Sequence, residues 1–247
     1  MKKRKLKLAD RLIAVIDVNK KSALNRILSD IGGKVSTVKL GLEMIYGAGT
    51  GIVDIAKSSG YDVMLDAKLM DIPNTIRGAS LAIAALGPSI VTIHTLGGKK
   101  MIEASREALK EQSDRDLAST PLLFGVTVLT SLDDGDLREM GFKDGYKSTV
   151  IRLAGLALDS GVDGIICSPG EVSLLRKEFG GDFFIATPGI RLSEDSAGDQ
   201  KRVNTPEEAI SAGADMIIVG RSLTKKPDIG AAIDIFLEKI KGALNLY

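Results

Sequence analysis

One cysteine, Cys167, and one histidine, His94, are all that the 247 residues contain of those two types. A lone thiol closes no disulfide within the chain, and one Cys with one His cannot supply a zinc cluster, so a disulfide scaffold and a structural zinc site are both excluded. A surplus of one charge is missing too, since 33 Lys and Arg against 32 Asp and Glu leave a net +1. No global field draws such a chain to nucleic acid or to an anionic membrane, and any anionic ligand must be held by a local site. Nor does any apolar run reach the roughly 18 uninterrupted residues that a membrane helix requires. The basic start, MKKRKLKLADR, leads into the short apolar LIAVIDV, which carries Asp17 and lacks a small-residue cleavage pattern. That is not a secretory signal. The expectation is a cytoplasmic protein with no nucleic-acid or membrane partner, whose residues 1–11 form a solvated basic leader.

What is present is globular: 44% hydrophobic and 26% charged residues are too apolar for a disordered chain. No Pro/Ser linker or composition shift divides the sequence, so 1–247 is expected to be one domain. Short β-branched apolar runs fall near 12–18, 35–41, 62–68, 90–95, 122–129, 164–168, 183–188 and 216–220. Between them lie stretches of helical periodicity, among them 75–86, 99–112, 149–160, 206–212 and 229–241. Thr205-Pro206-Glu207-Glu208 sets an N-cap hydroxyl before a proline at the first helical position, and Gly60, Gly87, Gly161 and Gly213 follow helical stretches where a left-handed residue is wanted. Strands apolar almost throughout, joined by helices, indicate a parallel sheet covered on its outside. Eight such units in this length predict an α/β fold, a (β/α)₈ TIM barrel. The alternative, a doubly wound open sheet, is disfavoured because no G-x-G-x-x-G follows the first run.

In a barrel, function belongs at the C-terminal strand ends. The polar residues there are Asp17, Lys39, Asp66, Lys68, Asp71, His94, Thr130, Ser131, Arg191 and Arg221. Asp66 and Lys68 lie two apart, which on a strand points both at the barrel mouth. With Lys39 from the preceding strand and Asp71 just past the strand end, two cations and two anions can alternate in one network. Such a set either plugs the barrel end as an ion-pair lattice or forms a pre-oriented electrostatic surface for chemistry. Pro73, fixing the loop that carries Asp71, favours the second.

A phosphate pocket is expected at the last two strands, where Gly220 lets the backbone approach an anion and Arg191 and Arg221 offer planar forks. The polar stretch 192–204 between them reads as a lid. Cys167, Met44, Met64 and Met216 read as core, and His94 as a packed histidine rather than a base.

The run Asp66-x-Lys68-x-x-Asp71-Ile72-Pro73-Asn74-Thr75 resembles the defining motif of the orotidine 5′-phosphate decarboxylase family. Asp17, Val38-Lys39-Leu40-Gly41, Val91-Thr92-Ile93-His94, Thr130-Ser131, Thr187-Pro188-Gly189-Ile190-Arg191, Gly198-Asp199-Gln200 and Val219-Gly220-Arg221 resemble that family in order. The resemblance implies a homodimeric barrel that takes orotidine 5′-monophosphate to uridine 5′-monophosphate and carbon dioxide, with no metal and no organic cofactor. By position, it implies that Lys68 donates the proton to C6, that Asp66 lies against the departing carboxylate, and that Lys39 and Asp17 hold ribose hydroxyls. Asp71, with Ile72 and Thr75, would reach into the neighbouring subunit's site. Thr130 or Ser131 would contact the base, Arg191, Gln200, Gly220 and Arg221 would bind or cover the phosphate, and Pro188 would contact the substrate. Sugar-phosphate decarboxylases and synthases share the Asp-x-Lys-x-x-Asp core but use a metal and lack Ile-Pro-Asn-Thr. A binder without turnover is the remaining alternative.

Overall fold

A computed structural model describes residues 5–192 and 204–244. In chain order the elements are β1 (Leu12–Ile16), α1 (Lys21–Ile31), β2 (Thr37–Gly41), α2 (Leu42–Ala48), α3 (Ile52–Ser58), β3 (Asp62–Leu69), α4 (Pro73–Leu86), β4 (Ile90–His94) and α5 (Lys99–Arg115). There follow β5 (Leu122–Val126), α6 (Asp134–Glu139), α7 (Tyr146–Asp159), β6 (Gly164–Ile166), α8 (Val172–Phe179), β7 (Phe184–Thr187), α9 (Pro206–Ser211), β8 (Met216–Val219), α10 (Arg221–Thr224) and α11 (Ile229–Leu244). All strand pairs are parallel, and β8 pairs with β1, closing a barrel in sequence order.

Closure explains the near-continuous apolar runs, because each strand is buried on both faces. Leu12, Ala14 and Ile16 of β1 face the helix ring, while Ile13 and Val15 face the barrel interior. The interior is filled by Met64, Phe124, Phe184, Met216 and Ile218, among others, with Phe124 and Phe184 stacked 6.2 Å apart. Met44 and Cys167 lie in the outer layer, so the methionines and the cysteine are core as expected. The helix punctuation also holds: Thr205 Oγ1 accepts the Glu208 amide, Pro206 is the first residue of α9, and Gly60, Gly87, Gly161 and Gly213 all have positive φ.

Element ends differ from the sequence reading by up to three residues, and two departures bear on the barrel. β5 stops at Val126, and Val128 is buried beyond the strand without a ladder partner. Residues 6–11 are not a solvated leader. Leu6 packs against the interior cluster, Leu8–Asp10 form a 3₁₀ turn, and Arg11 accepts the Ile217 amide at 2.8 Å while its Nη1 donates to the Asp215 carbonyl. The apolar Leu6 and Leu8, set between lysines, gain burial by closing the N-terminal barrel end. Residues 1–4 lie outside the described range.

The same end is braced by two carboxylates that immediately precede strands. Asp163 accepts both Arg106 guanidinium nitrogens, at 2.7 and 3.2 Å, and the Leu123 amide at 2.9 Å. Asp215 accepts Arg176 Nη2 at 2.6 Å and the Ile185 amide at 2.8 Å. Each carboxylate thus ties a helix to a neighbouring strand with charge-assisted bonds. Among the described residues, no helix is long and apolar enough to cross a membrane.

A Cβ added at Gly164 would stand 2.7 Å from Phe124 Cε1, inside the packed barrel. Gly164→Ala is therefore expected to lower stability by about 1–3 kcal/mol through overpacking, read as a lower urea midpoint, with Phe124→Leu in the same chain recovering part of the loss.

Candidate active site

The C-terminal mouth is built on the register of three strands. Val15, Lys39 and Met64 sit side by side on β1, β2 and β3, and Gly41 is opposite Asp66 in the next layer. A side chain at Gly41 would crowd Lys39 Nζ and Asp17 Oδ1, at 3.2 and 3.4 Å from its Cβ, so the glycine leaves the space in which these charges meet. Lys39 Nζ lies 2.8 Å from Asp66 Oδ2 and 4.0 Å from Asp17 Oδ1. Lys68 Nζ lies 2.8 Å from the same Asp66 Oδ2. The chain of charges is therefore Asp17, Lys39, Asp66, Lys68. Burial alone would raise the Asp66 pKa, but the Lys39 and Lys68 ammoniums outweigh it and hold the carboxyl at about 2.

Plain strand alternation does not bring Lys68 to Asp66. Leu65 pairs with Val91 but Leu69 pairs with Ile93, so residues 66–68 bulge opposite Thr92 alone. Within this bulge Lys68 has φ 46, in the left-handed region where a non-glycine residue costs about 1–2 kcal/mol. The Lys68 amide donates to Thr92 Oγ1 at 2.9 Å, and the Thr92 hydroxyl donates to Asp66 Oδ1 at 2.9 Å. His94 is buried, its Nδ1 accepts the Leu96 amide at 3.4 Å, and its pKa is lowered by burial and then by the Lys68 charge. It is a packed, neutral histidine.

Above this network opens a cavity of about 720 Å³, within the range of small-molecule sites. Asp17, Lys39, Asp66 and Lys68 line it together with Thr130, Pro188, Arg191, Gly220 and Arg221. Strands β3 and β7 are four apart in the closed order, so the arginines lie across the mouth from Lys68. Arg191 Nε is buried with no hydrogen-bond partner among the described residues, a donor suited to an anion. The Arg191 amide donates to the Asn204 carbonyl, and the Asn204 amide to the Gly189 carbonyl, at 3.1 and 3.3 Å. The expected lid, including Gly198 and Gln200, falls in 193–203, outside the described residues.

Four expected site residues do not line the cavity of their own chain. Ser131 is exposed and does not line the cavity, whereas its neighbour Thr130 does. Asp71, Ile72 and Thr75 are exposed, Ile72 by 66%, and Asp71 Oδ1 accepts the Ile72 amide at 2.6 Å. The expectation that Asp71 alternates with Asp66 in one network is thus corrected within the chain: beyond Leu69, which pairs with Ile93, residues 70–75 are exposed, and Asp17 takes the second anionic position. The sequence reading missed Arg26, Glu43 and Lys225, which also line the cavity. Lys225 stands four residues after Arg221, on the same helical face, a signal that was available; Arg26 and Glu43 carry no local mark. Among the described residues no group of three His, Cys, Asp or Glu is placed to hold a metal ion.

The family model described as orotidine 5′-phosphate decarboxylase / HUMPS matches residues 10–235. The chain belongs to this family. An orotidine 5′-phosphate decarboxylase of Teredinibacter turnerae is 41% identical over 222 residues, covering 90% of this chain and 94% of the relative. That of Coxiella burnetii is 38% identical over 231 residues, covering 94% and 97%. The crystal structure of the Lactobacillus acidophilus orotidine 5′-phosphate decarboxylase superposes with a TM-score of 0.83 at 37% identity, covering 94% of this chain and 99% of that one. The match to the decarboxylase / HUMPS family therefore spans the barrel, including the motif at 66–75 and the segments from Asp17 to Arg221 that carry the resemblance.

The Asp66 pKa sets a pH signature for this family member. Because the folded value, about 2, lies below the ordinary carboxylate value near 4, Asp66 adds stability above about pH 4 that is lost as the pH falls towards about 2. The contribution is about 2 kcal/mol. The stability gap between the wild type and Asp66→Asn, from urea unfolding at stepped pH, is expected to shrink by that amount across the window; a gap that stays constant would contradict the assignment.

Proposed function

We propose that this chain converts orotidine 5′-monophosphate to uridine 5′-monophosphate and carbon dioxide without metal or organic cofactor, the last step of pyrimidine nucleotide synthesis. The observation that carries this reading is the Lys68 ammonium, 35% exposed and 2.8 Å from a buried carboxylate, on the wall of a cavity whose opposite strand ends hold Arg191 and Arg221. In the proposed reaction the C6–carboxylate bond breaks, carbon dioxide leaves, and the electron pair stays on C6. Lys68 gives its proton to C6 and regains one from solvent. A preformed ammonium favours charge at C6 over charge on a carboxylate one bond further away, which is differential stabilisation of the transition state. Two unit charges about 4 Å apart at an effective dielectric near 20 interact by roughly 4 kcal/mol, nearly three powers of ten in rate. The remainder of the acceleration comes from positioning by the phosphate and exclusion of water.

In this assignment Asp66 lies against the departing carboxylate, Lys39 and Asp17 hold the ribose, and of Thr130 and Ser131 it is Thr130, which lines the cavity, that contacts the base. Arg191, Gln200, Gly220 and Arg221 bind or cover the phosphate, Pro188 contacts the substrate, and the unsatisfied Arg191 Nε supports that end. Asp71, Ile72 and Thr75 belong to the partner's site in a homodimer. Their exposure supports this, as do the exposed apolar Leu42 and Tyr46 of α2, which follows β2, and Met70, which follows β3. Against the metal-using sugar-phosphate reading stand the Ile72-Pro73-Asn74-Thr75 continuation and relatives named as orotidine 5′-phosphate decarboxylases.

Purified protein in EDTA is expected to consume orotidine 5′-monophosphate, followed by its absorbance, and to release uridine 5′-monophosphate and carbon dioxide. No turnover until magnesium and a sugar phosphate are supplied would favour the rival. Lys68→Ala is expected to abolish turnover while uridine 5′-monophosphate still binds; substantial residual kcat would remove its role as proton donor. Arg221→Ala is expected to lower kcat/KM by about 30- to 150-fold, the loss of roughly 2–3 kcal/mol of charge-assisted bonding.

A further inference from the structure

Thr92 is the one residue of β4 that faces the β3 bulge, and the reaction as proposed assigns it nothing. It is fully buried, it is reached from β3 by two hydrogen bonds, and no bond to it involves the cavity wall opposite. Its hydroxyl can donate only one proton, which goes to Asp66 Oδ1 at 2.9 Å. The lone pair on the other side accepts the Lys68 amide at 2.9 Å. These two bonds join the two ends of the bulge through one atom. They occupy the Asp66 oxygen that the lysines do not use, leaving Oδ2 to take both Lys39 and Lys68 at 2.8 Å. They also give the Lys68 amide, displaced from the β-ladder by the bulge, the acceptor that it would otherwise lack.

We infer that Thr92 is a positioning residue, whose hydroxyl holds the left-handed backbone of Lys68 and the plane of the Asp66 carboxylate in one fixed relation. The inference rests on the reading of Lys68 as the proton donor. It follows that loss of the hydroxyl moves the ammonium relative to bound substrate, while Thr92 makes no bond to the residues assigned to ribose and phosphate. A displacement of about 1 Å at a reacting group lowers rate by up to about 100-fold.

Thr92→Val keeps the branched shape and removes the hydroxyl, whereas Thr92→Ser keeps the hydroxyl and removes a methyl. Expected for Thr92→Val are a kcat lowered about 10- to 100-fold, a KM within about threefold of wild type, unchanged affinity for uridine 5′-monophosphate, and recovery of kcat to within about threefold in Thr92→Ser. Equal kcat in wild type and Thr92→Val, or equal losses in both variants, would overturn the inference. If Thr92→Val does not fold, Thr92→Ala takes its place against Thr92→Ser under the same criteria. Amide hydrogen exchange at Lys68 decides the point independently of turnover. It is expected to be slow in wild type and Thr92→Ser and at least about tenfold faster in the variants without a hydroxyl, and equal protection in all of them would overturn the inference. An inactive wild type whose Lys68 amide follows this pattern would sink the decarboxylase reading and leave the role of Thr92 in place.

Discussion

A carboxylate taken out of water needs opposite charge and full hydrogen bonding, and Asp66 obtains both from three different strands. Lys39 comes from β2, Lys68 from the far side of a bulge in β3, and the Thr92 hydroxyl from β4. Each partner is in reach only while the parallel register of β2, β3 and β4 holds, and that register is fixed by a sheet closed on itself with no edge along which a strand can slip. The barrel and the charge network are thus one mechanical object. Removing a partner would leave a buried charge uncompensated, and removing closure would free the strands that supply the partners.

The two meanings open to such a network, a lattice that plugs the barrel and a surface prepared for chemistry, are separated by accessibility within it. Lys39 is buried to 11% exposure and Asp66 to 10%, so these two behave as lattice. Lys68 at 35% and Asp17 at 54% form the open ends of the same chain of charges. The buried pair orients the outer pair, so that the exposed charges are held in place before a ligand arrives. His94, buried and neutral beside Lys68, adds no competing charge.

The strands were legible because burial on both faces writes itself as unbroken apolar runs, and the partnership of Lys39 with Asp66 followed from adjacent parallel strand ends. The bulge was not legible. Asp66-Ala67-Lys68-Leu69 contains no glycine or asparagine to announce a positive φ, and the lysine adopts it because surrounding contacts impose it. Beyond that bulge Asp71, Ile72 and Thr75 are exposed, so spacing alone assigned Asp71 to the wrong place within the chain. At the N-terminus, lysines interleaved with Leu6 and Leu8 masked two leucines that the barrel half-buries. Thr92 carried a faint signal: in Ile90-Val91-Thr92-Ile93-His94, every second side chain points inward, and Thr92 falls in that set with His94.

The carboxylate braces of Asp163 and Asp215 lie at the N-terminal barrel end, before β6 and β8, while the charged cavity occupies the other end. Groups that share no contacts contribute to stability almost independently. The molecule is therefore modular in the evolutionary sense: a braced end that selection for folding can tune, and an opposite end whose connecting loops selection for chemistry can exchange around a charge network that stays with β2, β3 and β4. Recombination with crossovers at the N-terminal strand ends would cut through the braces and break both parts, whereas exchange of whole loops at the mouth would pass a working frame intact to its descendants.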